Sequence, residues 1–155
     1  MKISIISLGC SKNTVDSEYL AGLLEAAGAE IADGPDGADA AVVNTCGFIR
    51  PAVEESVDVI LGLEELKREG KLKKICVAGC LVNRYGDDLK KELPDVDCWA
   101  GAEEWTSLAR SLGLRPPAAP VRAMLPGAVP WSRYLKVGEG CDTRCSFCTI
   151  PSIRG

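Results

Sequence analysis

The chain has 155 residues, of which 46% are hydrophobic and 26% are charged, as expected of a globular protein of about one domain. Its net charge of −4, with no polybasic run, argues against a nucleic-acid-binding surface in this segment. The absence of histidine excludes Cys/His zinc sites, histidine general bases and Ser-His or Cys-His hydrolase sites. No apolar run reaches the roughly 20 residues of a membrane span and no signal peptide is indicated, so we expect a cytoplasmic, reducing location.

Short apolar runs alternate with helical periodicity along the first 113 residues. Strands are predicted at 2–8, 29–32, 40–44, 74–78 and 96–100. Helices are predicted at 14–27, with Asn13 or Thr14 as N-cap, and at 51–68, 86–92 and 105–112. This alternation is typical of an α/β domain built on an open parallel sheet with helices on both faces.

The character of the sequence changes after residue 113. Residues 114–130 contain five of the nine prolines and little periodicity, which indicates an interdomain linker. A new strand is predicted over Trp131–Val137, leading into a cysteine motif. The predicted organisation is therefore a domain over 1–113, a linker over 114–130 and the start of a second domain over 131–155.

Three thiols lie close together near the end of the chain: Cys141, Cys145 and Cys148, spaced C-x-x-x-C-x-x-C. A cubane iron–sulfur cluster normally takes four thiolates, so three thiols indicate an iron left open for a substrate or cofactor. Gly140 and the glycine two residues before it would leave room for the cluster and its ligand. The alternative is a structural zinc site that borrows a ligand, although no second C-x-x-C pair is present.

A second set of thiols follows the predicted strands, with Cys10, Cys46 and Cys80 each just past a strand end. The carboxyl ends of parallel strands share one edge of the sheet, so these residues are predicted to converge there. Each has a neighbouring glycine that would let the backbone approach a bulky inorganic group: Gly9, Gly47 and Gly79.

The alternative for any of these thiols is an ordinary buried cysteine, which behaves as a small apolar residue. That interpretation is kept for Cys76 and Cys98, which lie within predicted strands. In a reducing compartment, eight cysteines favour metal binding or catalysis over disulfides.

The C-x-x-x-C-x-x-C spacing, with the aromatic Phe147 before the last cysteine, resembles the radical S-adenosylmethionine (SAM) signature. Further segments resemble the methylthiotransferase family, so the resemblance spans essentially the whole chain. These segments are Leu8–Glu18, Asn44–Ile49 and Gly79–Leu81.

Two branches of that family differ around the first two cysteines. The transfer-RNA adenosine branch typically reads Phe-Gly-Cys-Gln-Met-Asn and Asn-Thr-Cys-Ser-Val-Arg, whereas this chain reads Leu-Gly-Cys-Ser-Lys-Asn and Asn-Thr-Cys-Gly-Phe-Ile. These variants, together with residues 139–155, resemble the branch that modifies an aspartate of a ribosomal protein. That branch commonly has proline where this chain has Ser11, a departure that touches no ligand.

The resemblance implies two [4Fe-4S] clusters. One, which binds S-adenosylmethionine, would be held by Cys141, Cys145 and Cys148, with Phe147 and Gly140 beside it. An auxiliary cluster that carries the sulfur to be transferred would be held by Cys10, Cys46 and Cys80. A radical generated from S-adenosylmethionine would remove hydrogen from the β-carbon of an aspartate in the twelfth small-subunit ribosomal protein. An external electron donor and a sulfur source are implied as partners.

A full (β/α)8 barrel takes about 250 residues, and only about 25 follow the linker here. We therefore expect a fragment that contains an incomplete radical SAM barrel and is inactive alone. The alternatives are a transfer-RNA adenosine methylthiotransferase and, from another class, a non-catalytic iron–sulfur or zinc binding module.

Overall fold

The computed structural model describes residues 1–119 and 121–155. The strands are β1 (Lys2–Ser7), β2 (Glu30–Ala32), β3 (Ala40–Thr45), β4 (Lys74–Gly79) and β5 (Cys98–Ala100). The helices are α1 (Ser11–Ala26), α2 (Arg50–Arg68), α3 (Cys80–Glu92), α4 (Trp105–Ser111) and α5 (Ile150–Arg154). None of the helices in the described ranges combines the length and apolarity that crossing a membrane requires.

The five strands form one parallel sheet in the order β2-β1-β3-β4-β5. The predicted α/β architecture with an open parallel sheet is therefore confirmed. Strand order reverses between β1 and β3, which makes this pair the topological switch point where open α/β sheets bind ligands. The carboxyl ends of β1, β3 and β4 stand side by side at that edge.

An apolar cluster covers each face of the sheet. On one face, Leu20 and Leu24 of α1 pack with Leu108 of α4. On the other face, Ile60 and Leu63 of α2 pack against the opposite side of the same strands. β3 is buried at every position because it lies in the middle of the sheet, and its side chains alternate between the two clusters. Helices therefore cover both faces, as predicted.

Two helices begin earlier than their sequence patterns predict. α1 starts at Ser11 with the extended residue Cys10 at its N-cap position and no side-chain cap, so the predicted capping by Asn13 or Thr14 is wrong. α3 starts at Cys80, directly after β4. Gly79 has φ +99°, a conformation that favours glycine and turns the chain from strand to helix in one residue.

Cys76 and Cys98 are register partners on β4 and β5, with their Cα atoms 4.6 Å apart. The prediction that Cys76 lies in the core is confirmed, whereas Cys98 is half-buried and packs against the core. They are joined as a disulfide, however, so the expectation of two separate thiols is wrong. Neighbouring parallel strands place both side chains on one face of the sheet, at a separation that suits a disulfide.

The strand predicted over Trp131–Val137 does not form. In the described residues this segment has no hydrogen-bonded strand partner, and most of its apolar side chains are exposed. A strand needs a neighbour to satisfy its backbone groups, which periodicity alone does not provide. The proline-rich stretch itself packs on α1, where the Ala123 amide donates to the Glu18 carbonyl over 3.0 Å.

Candidate metal centre

The cysteines that follow β1, β3 and β4 line one cavity of about 810 Å³. Cys46 comes directly after β3 and Cys80 directly after β4, and they are 7% and 6% exposed. Cys10, which follows β1 at the mouth of the cavity, is exposed. The topology of the sheet thus brings together three thiols that are far apart in sequence.

The glycines beside these thiols pack against protein. A Cβ added to Gly9, which has φ +89°, would lie 2.5 Å from the Cβ of Cys46. A Cβ on Gly79 would lie 2.7 Å from the last carbonyl of β3, and one on Gly47 would lie 2.8 Å from the carbonyl of Cys80. These glycines let the loops approach one another closely, and their predicted role in admitting an inorganic group stays a prediction.

The side-chain amide of Asn13 is fully buried at the centre of the three loops. Its Nδ2 donates to the carbonyls of Leu8, over 2.8 Å, and Thr45, over 3.0 Å. Its Oδ1 lies 3.9 Å from the sulfur of Cys10 and 4.0 Å from that of Cys80. Asn13 therefore holds the loop after β1 against the end of β3, which explains why it does not cap α1.

Arg154, at the end of α5, reaches into this site and is a residue that the sequence analysis missed. Its Nε donates to the sulfur of Cys80 over 3.0 Å, and its Nη2 donates to Asn13 Oδ1 over 2.7 Å. Its Nη1 donates to Asp16 Oδ2 over 2.8 Å, and the side chain is only 4% exposed. No sequence signal points to this pairing, because 74 residues separate the arginine from the cysteine.

Burial and charge act in opposite directions on the thiol of Cys80. Burial raises its pKa, and the guanidinium of Arg154 offsets part of that rise because it stabilises the thiolate. The neighbouring thiols of Cys46 and Cys10 add to the rise. The net pKa of Cys80 lies above its usual value, so metal binding at this site must displace a proton.

An ionic cluster lies next to the site and shares Asp16 with Arg154. The ammonium of Lys136 contacts Asp16, Glu139 and Glu103 at 2.7, 2.8 and 2.9 Å. Burial opposes its charge, but these hydrogen bonds raise the pKa of Lys136 above its ordinary value. Burial would also raise the pKa of Glu139, yet Lys136 and Arg154 lower it to about 2. The three carboxylates are spaced as the ligands of a cation would be, and the ammonium of Lys136 contacts all three of them.

The other predicted thiols lie in the loop before α5. Cys141 and Cys145 are exposed and Cys148 is half-buried. Phe147 is 87% exposed, and Gly140, with φ +63°, lies against the backbone of Gly155. These residues do not line the cavity of the first triad.

α5, which begins two residues after Cys148, does line that cavity. Ile150 and Ile153 contribute to its wall together with Arg154. The structure therefore keeps the two triads separate but joins them through one short helix.

The donor sets suit iron–sulfur clusters. Among the described residues, neither triad brings three sulfurs within 4.8 Å of one another, as ligands of a single ion would be. Thiolates on separate irons of a cubane stand farther apart than ligands on one ion, and thiolates are the usual ligands of such clusters. The cavity beside Cys10, Cys46 and Cys80 also gives a cluster space.

Residues 2–101 match the family described as "Uncharacterized protein family UPF0004". The chain belongs to this family. The matched range contains the whole parallel sheet and the three thiols at its edge. The matched range ends in the loop before α4.

This UPF0004 member is similar to proteins named "Ribosomal protein uS12 methylthiotransferase RimO". It is 47% identical to that of Aquifex aeolicus over 156 residues, which cover 100% of this chain and 34% of the relative. It is 47% identical to the protein of Solibacter usitatus, in an alignment that covers 100% of this chain and 35% of that relative. It is 44% identical to the protein of Syntrophus aciditrophicus, in an alignment that covers 99% of this chain and 38% of that relative. The chain thus spans about a third of the length of the curated relatives it matches.

Proposed function

We propose that this chain is part of a radical SAM methylthiotransferase that adds a methylthio group to the β-carbon of an aspartate in ribosomal protein uS12. The observation that carries the proposal is that Cys10, Cys46 and Cys80 line one cavity. Helix α5, which follows the second set of thiols in sequence, forms part of the wall of the same cavity. Similarity along the whole chain to proteins named uS12 methylthiotransferases supports the substrate.

We assign Cys10, Cys46 and Cys80 to an auxiliary [4Fe-4S] cluster, and Cys141, Cys145 and Cys148 to the cluster that binds S-adenosylmethionine. When bound, these groups would supply one-electron reduction of S-adenosylmethionine and the sulfur that is transferred. Gly140 and Phe147 flank the second set and are assigned to the binding of the cofactor. The three parts of this organisation are residues 1–113, 114–130 and 131–155.

The residues of the chain itself would shape and shield the first cluster. Asn13 and Gly9 hold the loops in contact, so the three sulfurs face one space. Phe48, Ile49 and Ile153 line the same cavity with apolar surface, which favours exclusion of water from a reactive sulfur. An aspartate side chain of a protein substrate, an external electron donor and a sulfur source are the proposed partners, in the cytoplasm.

Anaerobic reconstitution with iron and sulfide tests the cofactors. We expect about eight irons per chain, falling by about four in Cys46→Ala and by about four in Cys145→Ala. The double variant Cys76→Ala/Cys98→Ala changes cysteines outside both triads and is expected to keep all the iron. A single bound zinc, or an unchanged iron content in Cys46→Ala, would contradict the proposal.

Mass spectrometry tests the substrate. Ribosomal protein uS12 and transfer RNA are isolated from cells that express the gene with and without the Cys46→Ala substitution. We expect the substitution to remove a methylthio group from an aspartate of uS12 and to leave the transfer RNA unchanged. Loss of a methylthio group from an adenosine instead would favour the transfer-RNA branch.

A further inference from the structure

The guanidinium of Arg154 connects the two parts of the chain that carry thiols. It lies on α5, which follows the loop of Cys141, Cys145 and Cys148. Its Nε is 3.0 Å from the sulfur of Cys80. Arg154 thus lies next to the C-terminal cysteines in sequence and contacts an N-terminal cysteine in space.

The partners of Arg154 surround it on two sides. Nε and Nη2 point towards Cys80 and Asn13, whereas Nη1 donates to Asp16 over 2.8 Å and to Glu139 over 3.2 Å. Arginine suits this arrangement because its planar fork offers several donors in fixed directions. The buried Asp16 anchors it to α1, and Glu139 anchors it to the segment that precedes the cysteine loop.

The charge of Arg154 acts on a buried sulfur. Cys80 is 6% exposed, so little water screens the interaction. The other polar contact of its sulfur in the described residues is Asn13 Oδ1, which carries no positive charge. Lys12 also lines the cavity, but its ammonium pairs with Glu139 at 3.5 Å.

We propose that Arg154 is a positioning residue that docks the C-terminal cysteine segment onto the N-terminal triad and sets the reduction potential of the cluster held there. The docking role stands on the contacts alone, and the electrostatic role rests on the proposed function. A positive charge and an N–H donor beside a ligand sulfur stabilise the reduced, more negative cluster. Arg154 therefore raises the reduction potential of the cluster at Cys10, Cys46 and Cys80.

α5 has a second anchor, which keeps Arg154 variants testable. The side-chain amide of Asn83 on α3 donates to the carbonyl of Ile153 over 2.6 Å. Ile153 is itself buried. Loss of the guanidinium therefore removes the charge without removing every contact of the helix.

The electrostatic role is tested in the full chain with Cys141, Cys145 and Cys148 changed to alanine, so that only the N-terminal cluster is loaded. Potentiometric titration followed by electron paramagnetic resonance then compares Arg154→Gln, Arg154→Lys and the exposed control Arg115→Gln. We expect Arg154→Gln to lower the potential by the equivalent of at least tenfold in the ratio of reduced to oxidised cluster, about 59 mV for one electron.

Arg154→Lys keeps the charge and is expected to restore most of the potential, and Arg115→Gln is expected to leave it unchanged. An unchanged potential in Arg154→Gln would overturn the electrostatic role. A shift in Arg154→Lys as large as that in Arg154→Gln would overturn it as well, because the charge would not then be the cause.

The docking role is tested by hydrogen exchange in the metal-free full chain with all cysteines present. The amide of Cys141 donates to the carbonyl of Gly155 over 2.9 Å, and Gly155 is held in place by the docked Arg154 beside it, so exchange at Cys141 reports on undocking of Arg154. We expect its exchange to be at least tenfold faster in Arg154→Gln and unchanged in Arg115→Gln. Equal exchange in Arg154→Gln and the unsubstituted chain would overturn docking.

The two proposals fail in different ways. If the triple-alanine chain that retains Arg154 takes up no iron, the auxiliary cluster of the proposed function is overturned together with the electrostatic role. Hydrogen exchange still decides whether Arg154 docks the segment, because that measurement needs no metal.

Discussion

Replacement of Gly9 with alanine tests whether close contact between the loops after β1 and β3 builds the cysteine site. The added Cβ would lie 2.5 Å from the Cβ and 3.1 Å from the sulfur of Cys46, closer than real side chains pack. Gly9 also has φ +89°, which L-residues rarely adopt. The substitution thus combines backbone strain with a steric clash at a proposed cluster ligand.

Gly28 separates these two effects. It follows α1 with φ +90°, nearly the same value as Gly9, but a Cβ there would meet no atom within 4 Å. Backbone strain alone costs roughly 1–2 kcal/mol at each position. The clash with Cys46 adds roughly 1–3 kcal/mol, the usual cost of overpacking. Gly9→Ala is therefore expected to lower the free energy of unfolding by about 2–5 kcal/mol, against about 1–2 kcal/mol for Gly28→Ala.

Urea denaturation of the metal-free protein, followed by circular dichroism, measures both free energies of unfolding. Iron content after reconstitution then reports whether Cys46 has moved. We expect the iron bound by the N-terminal triad to fall in Gly9→Ala and to stay unchanged in Gly28→Ala. Equal destabilisation by the two substitutions, with equal iron, would refute the reasoning that the loop contact positions Cys46.

Three further predictions concern the polar groups around the site. Asn13→Leu leaves the buried carbonyl of Thr45 and the half-buried carbonyl of Leu8 without their side-chain donor and is expected to cost at least roughly 1–3 kcal/mol in urea denaturation. Lys136→Met removes one of the two cations that Asp16 and Glu139 both contact, so proteolysis of the segment after residue 120 is expected to be about tenfold faster, while the exposed control Lys91→Met leaves it unchanged. The pKa of Glu139 falls from 4.5 to about 2, so its stabilisation is complete above about pH 4.5 and is lost as the pH falls towards 2. Hydrogen exchange of the C-terminal segment measured across that pH range checks this loss.

The sheet and the position of the first triad were predictable from local patterns. β3 is an unbroken buried run, and such runs mark the inner strands of parallel sheets. Because Cys10, Cys46 and Cys80 each follow a strand, one topological rule was enough to bring them to a common edge. The start of α3 was not predictable, since the conformation of Gly79 and the contacts around it end the strand and begin the helix together.

The sequence by itself determined the parallel α/β domain, its apolar faces and the spacing of both thiol sets, because these depend on periodicity and neighbours along the chain. Only the tertiary structure decided which polar groups surround the thiols. Asn13, Arg154 and Lys136 acquire their roles from partners distant in sequence. It also decided that residues 131–137 do not form a strand, because strand pairing depends on a neighbour in space rather than on the pattern of the segment itself.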